Sequence, residues 1–92
     1  MATGTIVKVW QDAQSTYAAV LVAEGGNRGN VEYSASVPLT GDLTAFGFAG
    51  QTWAALTTPQ KKTALTNAVK AARDAALLAP ADVAGISGTV TL

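Results

Sequence analysis

The sequence predicts an α+β protein: one antiparallel sheet of about four strands, in the order β-β-β-α-β, with a single amphipathic helix packed on one face. Three observations predict it. Residues 57–79, TTPQKKTALTNAVKAARDAALLA, carry a helical apolar repeat with a start signal before it and a proline after it. Residues 5–39 hold three β-branched or alternating runs separated by turn residues. Residues 86–92, ISGTVTL, alternate again beyond the helix.

The first strand is residues 5–10, TIVKVW, rich in β-branched and aromatic side chains. Simple alternation puts Ile6, Lys8 and Trp10 on one face and Thr5, Val7 and Val9 on the other. QDAQS, residues 11–15, reads as a turn. Residues 16–23, TYAAVLVA, are nearly apolar throughout, as expected of a central strand or of one that meets a partner on its second side. The Val20, Leu21, Val22 cluster favours strand over a short helix.

Residues 24–30, EGGNRGN, form a hairpin tip, because glycine and asparagine accept the positive φ that tight connections need. A glycine-rich loop can also cradle phosphate. This one matches neither G-x-x-x-x-G-K-[ST] nor G-x-G-x-x-G, and it joins two strands instead of opening a helix. The third strand, residues 31–39, sets Val31, Tyr33, Ala35, Val37 and Leu39 against Glu32, Ser34, Ser36 and Pro38. Pro38 lacks a donor, so pairing ends there or the strand lies at an edge.

Residues 40–56, TGDLTAFGFAGQTWAAL, are the least regular stretch, with Phe46, Phe48, Trp53 and glycines 41, 47 and 50. An irregular segment of this length is uncommon in a small domain and is often functional. Its aromatics either plug the end of the core or form a docking surface.

The helix has two possible starts. Thr57 and Gln60 have capping-box spacing, whereas Pro59 suits the first helical position after Thr58. Pro80 stops it. At about 100° per residue, Leu65, Ala68, Val69, Ala72, Ala75, Ala76 and Ala79 share one arc. That arc is mostly alanine, so close approach and intrinsic propensity hold the helix more than buried area does. Lys62, Thr66, Lys70 and Arg73 form the opposite, basic arc, with Lys61 to one side; Leu77 and Leu78 fall outside the apolar arc. Residues 80–85 connect to the fourth strand.

The 92 residues suit a single domain, 1–92, with one modest core. The chain is 49% hydrophobic, which argues against disorder, and only 13% charged with zero net charge, which suits association. The charges are unevenly spread. Residues 1–60 hold Lys8 and Arg28 against four carboxylates, a net of −2; residues 61–92 hold four cations against Asp74 and Asp82, a net of +2. Such a molecule can dock head-to-tail on copies of itself.

There is no cysteine and no histidine, so disulfides, thiolate chemistry and the commonest metal ligand and general base are all excluded. No carboxylates form a metal-like cluster or a catalytic pair in sequence. Lys8 beside strand serines is the best candidate for activating a nucleophile, and it is a poor one. The chain therefore reads as no enzyme, without cofactor, metal or small-molecule substrate. Nucleic acid is not the expected partner either: net positive charge is lacking, and Tyr33 lies on the apolar strand face instead of an exposed one. Neither a signal peptide nor a membrane-spanning segment is apparent.

What remains is a structural or interaction role. The run GQTWAALTTPQKKTALTNAVKAARDA resembles the Trp-Leu-Thr-Pro lead-in and alanine-rich helix of small bacteriophage-encoded proteins. The composition, rich in alanine, threonine, glycine and valine, is similar to that of small virion structural proteins. The resemblance covers about a quarter of the chain and transfers no functional residue. It implies a capsid decoration, connector or tail protein, located in the virion if phage-encoded and otherwise in the cytoplasm, with copies of itself or other virion proteins as partners. The alternative is a small monomeric protein-binding module or host-directed inhibitor; a nucleic-acid binder using the basic helix face ranks third. The expected interface has two parts: Phe46, Phe48 and Trp53 as apolar anchors, and Lys62, Lys70 and Arg73 pairing with a neighbour's acidic residues such as Glu24 or Glu32.

Overall fold

The computed structural model describes residues 3–78 and 85–92. Three strands, β1 (Gly4–Gln11), β2 (Ser15–Gly25) and β3 (Gly29–Pro38), form an antiparallel meander in the order β1-β2-β3. A connecting segment with two short 3-10 turns, Thr44–Phe46 and Trp53–Ala55, leads into α1 (Thr58–Leu78). The α+β class and the sheet–helix arrangement follow the sequence. The fourth strand does not: residues 86–92 pair with nothing among the described residues, and Ile86, Val90 and Leu92 lie in water. Alternation marks a segment able to be half-buried; it supplies no surface to be buried against. Residues 79–84, with the predicted helix end and most of the connector, lie outside the described residues.

Both turns of the meander are built from local chemistry. Asp12 Oδ1 accepts from the backbone N–H of Gln14 (2.7 Å) and Ser15 (2.8 Å), closing the β1–β2 connection. At the β2–β3 tip, Gly25, Gly26 and Gly29 all have positive φ, and Arg28 N–H donates to the Gly25 carbonyl at 3.1 Å.

The nearly apolar second strand is the central one. On β3, Tyr33 and Val37 are buried while Glu32, Ser34 and Ser36 are exposed, as the alternation requires. β1 departs from simple alternation. Ile6 pairs with Val20, but Lys8 pairs with the very next residue, Ala19, so Val7 is an extra residue in a β-bulge. Directly opposed residues share a face. Gly4 and Ile6 therefore lie with Val22 and Val20 on the helix side, and past the bulge Val9 and Gln11 take that side. Lys8 and Trp10 lie on the outer face with Ala19 and Tyr17. The expected face carrying Ile6, Lys8 and Trp10 together is thus split by one residue.

The capping box decides the helix start. Gln60 N–H donates to Thr57 Oγ1 at 3.4 Å, and Thr57 N–H donates to Gln60 Oε1 at 2.8 Å, so Thr57 is the cap. Ala64, Leu65, Ala68 and Val69 are buried; Ala72 and Ala76 are half-buried and Ala75 is exposed, so burial is concentrated in the middle turns. These four meet Ala18 and Val22 of β2, Tyr33 and Val37 of β3, and Leu43 and Leu56 of the connecting segment in one cluster. Each fully buried large aliphatic side chain in it contributes about 1.5–3 kcal/mol.

The connecting segment is held to α1. Asn67 Nδ2 donates to the Phe46 carbonyl at 2.8 Å. Next to it, Gly47 closes the first 3-10 turn at φ 91°, and a Cβ there would sit 3.1 Å from Asn67 Nδ2. Gly47→Ala is expected to lower stability by about 1–2 kcal/mol, because a left-handed residue would gain a side chain against the group that ties the loop to the helix. Urea unfolding checks this; an unchanged midpoint would show that the loop does not depend on this turn.

Candidate functional site

The helix covers β3 and part of β2 and leaves β1 bare. All eight residues of β1 are exposed, and as the first strand in the order it has one edge with no strand beside it among the described residues. Ile6 is 40%, Val7 49% and Val9 52% exposed, an unusual amount of apolar surface for an edge carrying one charge, Lys8.

Between β1 and α1 runs a cleft of about 850 Å³. Its floor is Ile6 of β1 with Val20 and Val22 of β2; Thr3, Gly4 and Thr5 form one wall. The other wall is the basic arc of α1: Lys62, Thr66, Lys70 and Arg73, with Val69 below them. Gly4 is required where it stands, since a Cβ would come within 2.4 Å of Val20 Cγ1. The cleft therefore joins the expected basic face to an apolar floor that the sequence reading did not place beside it.

The three expected cations have different surroundings. Lys62 and Lys70 are exposed and form no ion pair among the described residues. Arg73 is engaged within its own chain: Nε donates to Glu24 Oε2 at 3.0 Å and Nη2 to Glu24 Oε1 at 2.8 Å. Tyr33 Oη also donates to Glu24 Oε2, at 2.5 Å. The Glu24 side chain is 5% exposed and that of Arg73 27%. The Arg73 guanidinium, then the Tyr33 hydroxyl, hold the Glu24 carboxyl below its ordinary value against the opposing effect of burial. The sequence reading paired Arg73 with an acidic residue of a neighbour such as Glu24; within this single chain Arg73 grips its own Glu24. The pair spans 49 residues and clamps α1 onto the end of β2.

Phe46, Phe48 and Trp53 are half-buried, each with one side packed against the core cluster. Lys61 Nζ stands 5.4 Å from the Trp53 ring centroid. The segment is organised by Asp42. Its Oδ1 accepts from the Thr44 N–H (2.8 Å) and the Thr44 hydroxyl, and its Oδ2 from the Gly50 N–H (2.6 Å). Those bonds, led by the Thr44 hydroxyl, lower the Asp42 pKa. The aromatics and the lysines lie in different places: only the lysines line the cleft. Phe46→Ser and Trp53→Ser are expected to lower the urea midpoint, whereas Lys62→Glu and Lys70→Glu are expected to stay within about 0.5 kcal/mol of the parent. Equal effects from the two sets would show that the aromatics stand off the core.

Sequence reasoning missed Ile6, Val7, Val9 and Trp10 as accessible surface. The signal was there: TIVKVW has no polar face, so in whichever register it pairs, apolar side chains point both ways. On the outer face, the Trp10 and Tyr17 rings stack 5.4 Å apart at 8°, and Lys8 Nζ lies 5.0 Å from the Trp10 centroid. Tyr17 Oη donates to Asp12 Oδ2 at 2.7 Å. A base seeking to stack on this pair would compete with contacts the rings already make.

Among the described residues there is no group of three or more acidic side chains able to hold a metal ion, and no helix long and apolar enough to cross a membrane. No protein family, curated protein or solved structure matches the chain.

Proposed function

We propose that this chain is a non-enzymatic assembly protein that works through protein–protein contacts with copies of itself, as a small bacteriophage virion component of the decoration, connector or tail type. One observation carries the assembly reading: β1 offers an open strand edge with apolar side chains on both faces, beside a cleft with an apolar floor. Soluble monomers normally blunt such an edge with charges, proline or a covering element. Here the bulge at Val7 and the single charge of Lys8 are the protection present in β1. The virion assignment rests on the likeness of the helix lead-in and composition to small phage proteins. Under this reading the sheet reaches its four strands when residues 86–92 pair.

Native mass by light scattering over a concentration series tests the reading. A discrete oligomer, or a mass that grows with concentration, is expected. Loss of association in high salt, reproduced by Lys62→Glu and Lys70→Glu, would place the basic wall in the contact. A strict monomer at every concentration would overturn self-assembly and leave the same cleft and edge to a different protein partner, the binding-module reading.

A further inference from the structure

We propose that residues 86–92 of a second copy of this chain lie in the cleft between β1 and α1 and pair with the open edge of β1, supplying the fourth strand of the sheet. The inference rests on the self-assembly reading and names the element that carries it.

The segment is chemically matched to the cleft. Ile86, Val90 and Leu92 alternate with Ser87, Thr89 and Thr91, and in the single chain the three apolar residues are 77%, 75% and 113% exposed. Laid along β1, that alternation turns Ile86, Val90 and Leu92 toward Ile6, Val20 and Val22, and turns the hydroxyls toward the outer face. Residues 86–92 carry no charged side chain, so no side chain in them is repelled by the lysines on the cleft wall. Seven extended residues span about 23 Å, and the eight of β1 about 27 Å, so the lengths agree. The bulge at Val7 splits the β1 edge, and the cleft adjoins the part before it, where Gly4, Thr5 and Ile6 lie. Pairing there satisfies backbone groups while the side chains fill the groove, the two components of strand addition.

Shape points to a second copy as the donor. The radius of gyration is 16.0 Å and the long axis 51 Å, where a compact chain of this length would have a radius of about 12 Å. The molecule is drawn out along one axis, and its C-terminal apolar residues bury almost nothing on their own body. A neighbour's cleft offers what its own chain does not provide in this structure.

The absence of cysteine makes the test direct. Thr5→Cys is placed in one batch of the 92-residue chain, and Ser87→Cys, Thr89→Cys or Thr91→Cys in another; all lie on the outer side of the expected pairing. Mixed and oxidised, one of the three is expected to give crossed dimers about tenfold or more faster than an Ala49→Cys control, because docking holds the thiols at millimolar effective concentration. Adding Val90→Asp to the tail-cysteine chain is expected to return the rate to that of the control. Ile86 and Val90 are so exposed in the single chain that this change leaves its fold intact. If the parent chain is oligomeric but no tail position exceeds the control, the strand inference fails and self-assembly by another surface stands. A monomeric parent removes both. A Thr5→Cys, Thr89→Cys double variant that closes within one chain at high dilution shows the strand folding back on its own cleft, and overturns the second copy as donor.

Discussion

Replacing Leu43 with alanine is expected to lower stability by about 2–5 kcal/mol, the largest loss from any single apolar change in this chain. Leu43 and Val37 are the largest side chains buried completely, and Leu43 belongs to the segment outside regular structure. Its backbone is tied on both sides: its N–H donates to the Gln51 carbonyl at 2.9 Å, and its carbonyl accepts from Phe46 and Phe48 at 3.0 Å each. The backbone cannot follow a smaller side chain inward, so the cavity stays. Domains of this size have about 5–15 kcal/mol in total, so the loss is a large share. The midpoint of urea unfolding should fall with little change in slope. Thermal unfolding should fall by about 4–8 °C per kcal/mol. Leu21→Ala, at a residue 41% exposed on the outer face, is the matched control and should cost far less. Similar losses for the two would mean that residues 40–56 lie outside the cooperative core.

Leu43 also shows where sequence reading stops. Residues 40–56 have no period, and the aromatics drew attention as the largest side chains. The residue of this segment that is completely buried is instead an unremarked leucine, set by the Asp42 turn and by its bridge to Phe48. Such a fold is specified by hydrogen bonds among loop residues, which no periodicity encodes. By contrast, the helix start was legible to within one residue because capping signals are local, and the central and third strands were legible because their composition and alternation reflect which faces are covered. β1 was half legible. Its strand character is plain, but the single extra residue at Val7 exchanges the faces beyond it, and nothing in TIVKVW marks where the extra residue falls. The cleft is non-local altogether: one wall comes from residues 3–5 and the other from residues 62–73. The opposite charges of the two parts of the sequence were visible, and Arg73 with Glu24 joins one pair of them within a single molecule.

That pair should also set how the protein responds to pH. Glu24 has a folded pKa below its ordinary value of 4.5, held there first by Arg73 and then by Tyr33. A lowered carboxylate contributes stability that is complete above its unfolded pKa and is lost as pH falls from about that value through the lower folded one. The same carboxylate raises the Tyr33 phenol above its ordinary value of 10.0, the hydrogen bond being the chief cause and burial the next. A raised phenol contributes stability that is complete below 10.0 and is lost as pH rises through the folded value. Stability should therefore form a plateau between these limits and drop on both sides. Asp12 and Asp42, also lowered, share the acid limb, and Tyr17, raised by Asp12, shares the alkaline one. Glu24→Gln is expected to lower the plateau, because Arg73 then faces a neutral amide, and to flatten part of the acid limb. Tyr33→Phe should flatten part of the alkaline limb and leave the Arg73 clamp in place. Arg73→Lys keeps the charge but loses the two-point grip on Glu24. It should lower the plateau less than Glu24→Gln does, since an ammonium can still pair with the carboxylate. Urea midpoints measured across the pH range decide the matter. If Glu24→Gln leaves both the plateau and the acid limb as they were, the clamp between α1 and β2 contributes nothing, and helix docking rests on the apolar cluster alone.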